Sequence, residues 1–276
     1  MIEIPESHTL AQQLNDFVCG KAVQSVRMNH TPHKFTWYFG DPLEYHNLLA
    51  GKRLEHAQAQ GGNVELQVGE IRVLFQDGVN LRYWKEGEKL PLKHQMLLIL
   101  EDGSALTATV QMYGGIGVYH VGENANPYYL VAKEKISPLS PEFNLDYFNQ
   151  LCGCEDFEKL SAKAFLATKQ RIPGLGNGVL QDILWHARIH PKTKMGDVSE
   201  IQRIDMFKAV KNTIAEMTAC GGRDTEKDLF GASGSYQCIL SKKTNGMPCP
   251  VCGSPIQKGT YLGGAVYYCP ICQKPT

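Results

Sequence analysis

The sequence predicts an α+β, multi-domain chain: an N-terminal helix plus a β-sandwich, then a helical domain, then a C-terminal zinc β-hairpin. Three observations predict it. Residues 21–130 form a succession of short β-type runs punctuated by Gly, Asp-Gly and Asn. A Pro-rich break, PLSPEF at 138–143, is followed by helical periodicity to about residue 220. Two C-x-x-C pairs, Cys249/Cys252 and Cys269/Cys272, stand near the end. The domains expected are therefore 1–135, 136–240 and 241–276.

Taken in order, residues 5–19 read as a helix, with Ser7 as its N-cap and Leu10, Leu14, Phe17 and Val18 at helical spacing. The runs VQSVRM, KFTWYF, VELQV, IRVLF, VNLRYW, MLLIL, ALTATVQMY and GVYHV follow as strands, and LILEDGSALTA reads as a hairpin. Many short strands with close turns imply a sandwich or barrel. Helices are expected at 144–151, 155–168, 177–188 and 199–218. Residues 221–248, rich in Gly, Ser and Lys, read as a linker.

Composition narrows the function classes. Apolar residues make up 43% and charged ones 20%, the balance of a globular chain, which argues against disorder as the main state. No run of eighteen apolar residues occurs, so no membrane helix is expected. The opening MIEIPESHTL shows no basic n-region, which points to the cytoplasm. Formal net charge is zero. Residues 1–160 nevertheless hold 13 Lys+Arg against 20 Asp+Glu, or −7, and residues 161–276 hold 15 against 8, or +7. A basic C-terminal part suits an anionic partner.

The tail CPVCGSPIQKGTYLGGAVYYCPIC places sixteen residues between its Cys pairs. Each C-x-x-C turn sets two thiolates on one edge of a tight loop, and the intervening hairpin brings the second pair round to complete a tetrahedral Zn²⁺ site. Four Cys close the coordination sphere, so the zinc is structural. A redox pair or disulfides is the competing reading. Cys19, Cys152, Cys154, Cys220 and Cys238 read as small buried apolar residues.

The segment KAFLATKQRIPGLGNGVLQDILWHARIHP (163–191) places Pro, three Gly and Asn177 ahead of an apolar-periodic helix. A glycine turn at a helix N-terminus exposes backbone N–H groups at the positive end of the dipole, which suits an anion, and Asn177 is a cap able to donate its amide to a phosphate. The same pattern also serves as a plain helix start. No strand precedes it, which excludes a dinucleotide fingerprint.

These residues resemble the helix–two-turn–helix segment of the formamidopyrimidine-DNA glycosylase and endonuclease VIII family. Members of that family also end in a four-cysteine zinc hairpin closing with C-P-x-C-Q, as Cys269-Pro270-Ile271-Cys272-Gln273 does here. GGRDTEKDLFG (221–231) stands in the place of the family's Gly-Gly-rich linker, and Ile2-Glu3-Ile4-Pro5-Glu6 resembles its Pro-Glu-Leu-Pro-Glu opening. The resemblance implies a monomer that grips double-stranded, damaged or abasic DNA. It implies a bifunctional base-excision glycosylase and abasic-site lyase, with the backbone around Gly176 and the Asn177 side chain on phosphates. An N-terminal amine would attack the sugar C1′ at position 2, where this chain has Ile2, assisted by the acids Glu3 and Glu6. As plain sequence, both Glu also serve as acids leading into the first helix.

The chain departs from the family pattern at several positions. Ile2 replaces the nucleophilic Pro, and a bulky second residue implies that Met1 is retained. The family's hairpin Lys should fall within 56–66, which has neither Lys nor Arg, and its zinc-hairpin Arg falls on Gly264. Val79 and Gln111-Met112-Tyr113 stand where the void-filling residues belong. Tyr113 could wedge into the gap left by a flipped base or sit buried in a strand. Lys163, which opens the helical motif, and the linker pair Lys242 and Lys243 are further DNA-contact candidates, with solvated surface Lys as the alternative. The losses also fit a non-catalytic binder of damaged or abasic DNA, or an adaptor engaging protein. His30, His33, His46, His56, His186 and His190 show no metal-ligand pattern, and Trp37, Trp84 and Trp185 read as packing residues.

Overall fold

The computed structural model describes residues 1–76 and 78–274. The chain forms two compact units, residues 1–134 with 221–235, and residues 135–220 with 236 onward.

The first unit opens on helix α1 (Ile4–Phe17), followed by β1 (Val23–Met28), β2 (Thr36–Phe39) and the short α2 (Tyr45–Leu49). Seven strands follow: β3 (His56–Gln60), β4 (Asn63–Val68), β5 (Ile71–Phe75), β6 (Val79–Trp84), β7 (Met96–Leu100), β8 (Ala105–Val110) and β9 (Gly114–His120). Helix α3 (Pro127–Glu134) completes the sequence of elements. Two sheets result, with strand orders β1-β7-β8-β6 and β2-β9-β5-β4-β3. Their inward residues, among them Val26, Leu98 and Leu106 on one side and Leu66, Val73 and Val118 on the other, join α1's Leu10 and Leu14 in one core. The LILEDGSALTA hairpin is formed as β7–β8, with Leu98 opposite Leu106. All pairings are antiparallel except β2–β9, where Trp37 lies opposite Gly115.

The cap of α1 is Glu3, not Ser7. Glu3 takes the extended conformation of an N-cap, its N–H donates to Glu6 Oε2 at 3.2 Å, and Pro5 fits the first turn, where no donor is needed. Ser7 lies inside the helix, fully buried, its hydroxyl donating to Ile4 O and Gly61 O. Three elements have no counterpart in the sequence reading: α2, β3 and α3. HAQAQ offers only two alanines to a strand pattern, and in NPYYLVAK the apolar residues are consecutive, which marks neither period. Trp37 does not pack: it is 53% exposed.

The second unit contains α4 (Leu145–Cys152), a 3₁₀ turn at Phe157–Lys159, α5 (Ala162–Ala167), α6 (Val179–His186), a second 3₁₀ turn at Met195–Asp197, α7 (Glu200–Ala219), and the hairpin β10 (Gln257–Tyr261) and β11 (Gly264–Tyr268). The helix expected at 155–168 is broken because Leu160 and Ser161 are extended, and Ser161 caps a new helix by accepting from Ala164 N–H. Ser199 and Gln202 form a reciprocal capping box on α7. Residues 221–235, expected as linker within the second domain, instead pack in the first unit.

Candidate functional site

In the first unit the opening residues meet the 221–235 stretch through one buried guanidinium. Arg223 Nε donates to Glu6 Oε1 at 2.9 Å and Nη2 to Glu6 Oε2 at 2.8 Å, a bidentate pair, while Nη1 donates to Glu3 Oε1 at 3.3 Å. Arg223 is 2% exposed, Glu3 4% and Glu6 5%, so three charges are held out of water together. Burial pushes the Glu6 carboxyl up, but Arg223's charge and hydrogen bonds outweigh it and hold the group below the usual carboxylate range. Burial alone would lower the Arg223 guanidinium, whereas Glu3 and Glu6 raise it well above its usual value. Glu226 stands 4.0 Å from Arg223 and forms an ion pair with the Met1 α-amine. The result is a continuous run of charges: Met1 α-amine, Glu226, Arg223, then Glu3 and Glu6. Ile2 contributes a side chain to the core and only an amide nitrogen to the backbone. Tyr113, half-buried, directs its hydroxyl to Met1 Sδ at 3.8 Å, and its ring centroid lies 6.0 Å from that of Trp37.

In the second unit the glycine bend runs from residue 168 to 178. Lys169, Gln170 and Gly174 take left-handed conformations there, which turns the chain sharply before α6. The N-cap of α6 is Gly178, not Asn177. Asn177 lies one residue outside the helix, and its Nδ2 donates to Ala265 O in the hairpin at 2.9 Å. Its Oδ1 is buried without a hydrogen-bond partner. The Gly176 carbonyl accepts from Leu180 N–H at 3.2 Å. Lys163 is buried rather than solvated. Its ammonium donates to Tyr261 O at 2.7 Å, and burial lowers its pKa from the usual lysine value. Gln181 clasps the same hairpin from α6, donating to Ala265 O at 3.1 Å and accepting from Tyr267 N–H at 2.9 Å. Lys242 and Lys243 lie exposed in a turn.

The ligand atoms of Cys249, Cys252, Cys269 and Cys272 lie within 4.8 Å of one another. Cys249 and Cys269 are buried, and Cys269 Sγ already accepts from Cys272 N–H at 3.4 Å. The buried Trp185 indole N–H is directed at Cys249 and stabilises its thiolate. Four convergent sulfurs with an indole donor at one of them fit a metal-bound thiolate cluster, and these residues could hold a metal ion.

No protein-family model matches the chain. It is 29% identical, over 287 aligned positions, to the formamidopyrimidine-DNA glycosylase of Lactobacillus delbrueckii subsp. bulgaricus, covering 99% of this chain and 100% of that one. It is 27% identical to the enzyme of Bacillus licheniformis, again over 99% and 100%. The fold superposes on Lactococcus lactis Fpg in complex with abasic-site DNA at a TM-score of 0.83 and 21% identity, and on the MutM (Fpg) protein of Thermus thermophilus at 0.81 and 22%, each over 99% of both chains. Its similarity to formamidopyrimidine-DNA glycosylases thus runs over nearly the whole chain, in sequence and in fold.

Arg223 and Glu226 do not stand out in the sequence: GGRDTE reads as linker, and nothing in it signals that its Arg reaches Glu3 and Glu6. Val79 is 1% exposed and lies in the core, so it cannot reach a void in DNA. Met112 is 67% exposed and Tyr113 half-buried, which leaves these two at the surface in that region. Among the described residues, no helix is long and apolar enough to cross a membrane.

Proposed function

We propose that the chain is a base-excision protein that binds duplex DNA at damaged or abasic nucleotides and acts through the Met1 α-amine. The observation that carries this reading is the run of charges that brings an amine and three carboxylates together. Ile2 has no free amine, so the α-amine of Met1 is the nucleophile available at this end. A neutral amine attacks the sugar C1′, forming a C–N bond as the bond to the base breaks; the nitrogen then sheds a proton as the C1′–O4′ bond opens and O4′ takes one up, leaving an imine. Loss of the proton at C2′ then expels the 3′ phosphate, and the proton moves to a neighbouring carboxylate. Glu226, in contact with the amine and a quarter exposed, is placed to take the proton that the ammonium must shed. In the second unit, Asn177, the Gly176 backbone, Lys163, Lys242 and Lys243 are the proposed phosphate contacts, and Tyr113 in the first is the proposed wedge. The four thiolates are proposed to hold Zn²⁺, which supplies no chemistry beyond fixing the hairpin.

A second reading is favoured by Arg223. Its guanidinium engages both Glu3 and Glu6, so neither carboxyl is free to act as an acid, which suits a protein that binds abasic DNA without cutting it. Borohydride reduction on an abasic duplex separates the two. A covalent protein–DNA species is expected, and its mass spectrum should place the adduct on Met1. Binding with no trapped species would leave the second reading in place of the first.

A further inference from the structure

Residues 17–40 contain no Asp or Glu in an otherwise acidic first unit, yet Lys21, Arg27 and Lys34 fall within them. Aromatic residues are interleaved with these cations in HKFTWYF (33–39). Phe35 and Trp37 are 50% and 53% exposed, and the Lys34 ammonium lies over the Phe35 ring, 5.4 Å from its centroid. The exposure of Trp37 has a local cause. Its strand partner across β2–β9 is Gly115, which has no side chain to cover the indole. Tyr113, two residues before Gly115, fills part of that gap, its ring 6.0 Å from the indole and inclined at 57°. The Tyr113 backbone is held by Gly78: a Cβ there would lie 1.7 Å from the Tyr113 carbonyl oxygen, and the φ of +81° is one glycine tolerates.

We propose that Trp37 and Tyr113 form a stacking platform for one unpaired nucleobase, with Lys34 serving a phosphate of the same strand. Every base has a π-face, so an indole with an open face beside a fixed phenol accepts any base that has left the duplex. The Lys34 ammonium over the Phe35 ring distinguishes this patch from a protein-docking surface, where Lys is depleted around the aromatic anchors. A paired base is already stacked on both faces and gains nothing here. The platform therefore discriminates DNA with an interrupted stack from intact duplex. This inference rests on the DNA-binding reading above and adds to it a residue, Trp37, that takes no part in the amine chemistry.

The test uses the full chain and two duplexes of one sequence: one intact, and one with a tetrahydrofuran abasic-site analogue opposite 2-aminopurine. Wild-type protein is expected to prefer the interrupted duplex and to change the 2-aminopurine fluorescence on binding. Trp37→Ala should weaken that complex about 5- to 150-fold, the equivalent of ~1–3 kcal/mol of base–aromatic stacking, and leave intact duplex within about twofold. Trp37→Phe should retain most of the preference, which guards against a folding defect. Equal losses on both duplexes, or no loss on either, would overturn the platform while the DNA reading stands. Wild-type protein that binds neither duplex would remove the DNA reading itself. A Trp37→Ala change that instead dissociates a dimer in sedimentation would assign the patch to a second copy of the chain and overturn the proposal.

Discussion

The Lys163 ammonium stands 3.2 Å from the point that a Cβ on Gly264 would occupy, with Asn177 Oδ1 3.5 Å from the same point. Gly264 is where the resemblance read from the sequence leads one to expect an arginine, and the Lys163 ammonium from α5 lies against that position. Gly264 is outside the left-handed region, and the contact is with the end of a flexible side chain, so a larger residue costs little. Gly264→Arg should fold normally and tighten duplex binding. The slope of log affinity against log salt should steepen by about 0.9, the value of one added phosphate contact. A salt series on both proteins checks this, and an unchanged slope would show that this edge of the hairpin does not face DNA.

Arg223→Met should be the most damaging single change in the first unit. It leaves Glu3 and Glu6 buried without their cation, at a cost of about 3–5 kcal/mol near neutral pH. The pH dependence follows from the lowered pKa of Glu6. The folded wild type binds fewer protons than the unfolded chain, so the stabilisation is complete above the ordinary carboxylate value of 4.5 and is lost as pH falls through the lower folded value. In the variant, burial and the neighbouring carboxylate both favour protonation, so acidification towards pH 4.5 should restore stability rather than remove it. Thermal melts across the acid-to-neutral range read both curves. Parallel curves would show that the guanidinium is not what holds these acids.

Why some of this is legible in the sequence and some is not can be read from those same residues. The eight β runs, the Cys spacing and the Gly-rich bend are local patterns, and local patterns survive in a string of letters. Arg223 pairs with acids more than two hundred positions away, and no period or spacing encodes that. The Ser7 cap fails for a related reason. Ser is the better cap in isolation, yet the burial of Glu6 moves the start of α1 to Glu3. Trp37 reads as packing because indoles usually pack, and only the β2–β9 register shows that it faces a glycine.

Removing metal should unravel the hairpin while the first unit persists. Among the described residues, the apolar cluster of the hairpin has Leu240, Ile256 and Tyr267 as its buried members, too few to order the module alone. One equivalent of zinc per chain is expected by elemental analysis. A strong chelator, or Cys269→Ser, should abolish it and lower the melting temperature of the second unit alone. Duplex affinity should fall with it. Full melting stability at zero metal content would leave disulfides or plain packing as the hairpin's support.

Asn177→Ala tests the bend directly, and the structure sharpens what to expect. The side-chain amide is committed to Ala265 O, which Gln181 Nε2 also serves, so deleting it costs only about 0.5–1.5 kcal/mol of stability. The buried Oδ1 has no hydrogen-bond partner, and turning the amide over would only set it against the Ala265 carbonyl. To reach a phosphate oxygen the N–H₂ must leave Ala265 O, which Gln181 Nε2 continues to serve. Asn177→Ala should therefore weaken duplex binding several-fold, by the same factor on unrelated sequences, since phosphates carry no sequence information. Asn177→Asp should weaken it further, because it brings an anion to the same place. A sequence-dependent loss would assign Asn177 to a base edge, and unchanged affinity would remove it from the DNA interface.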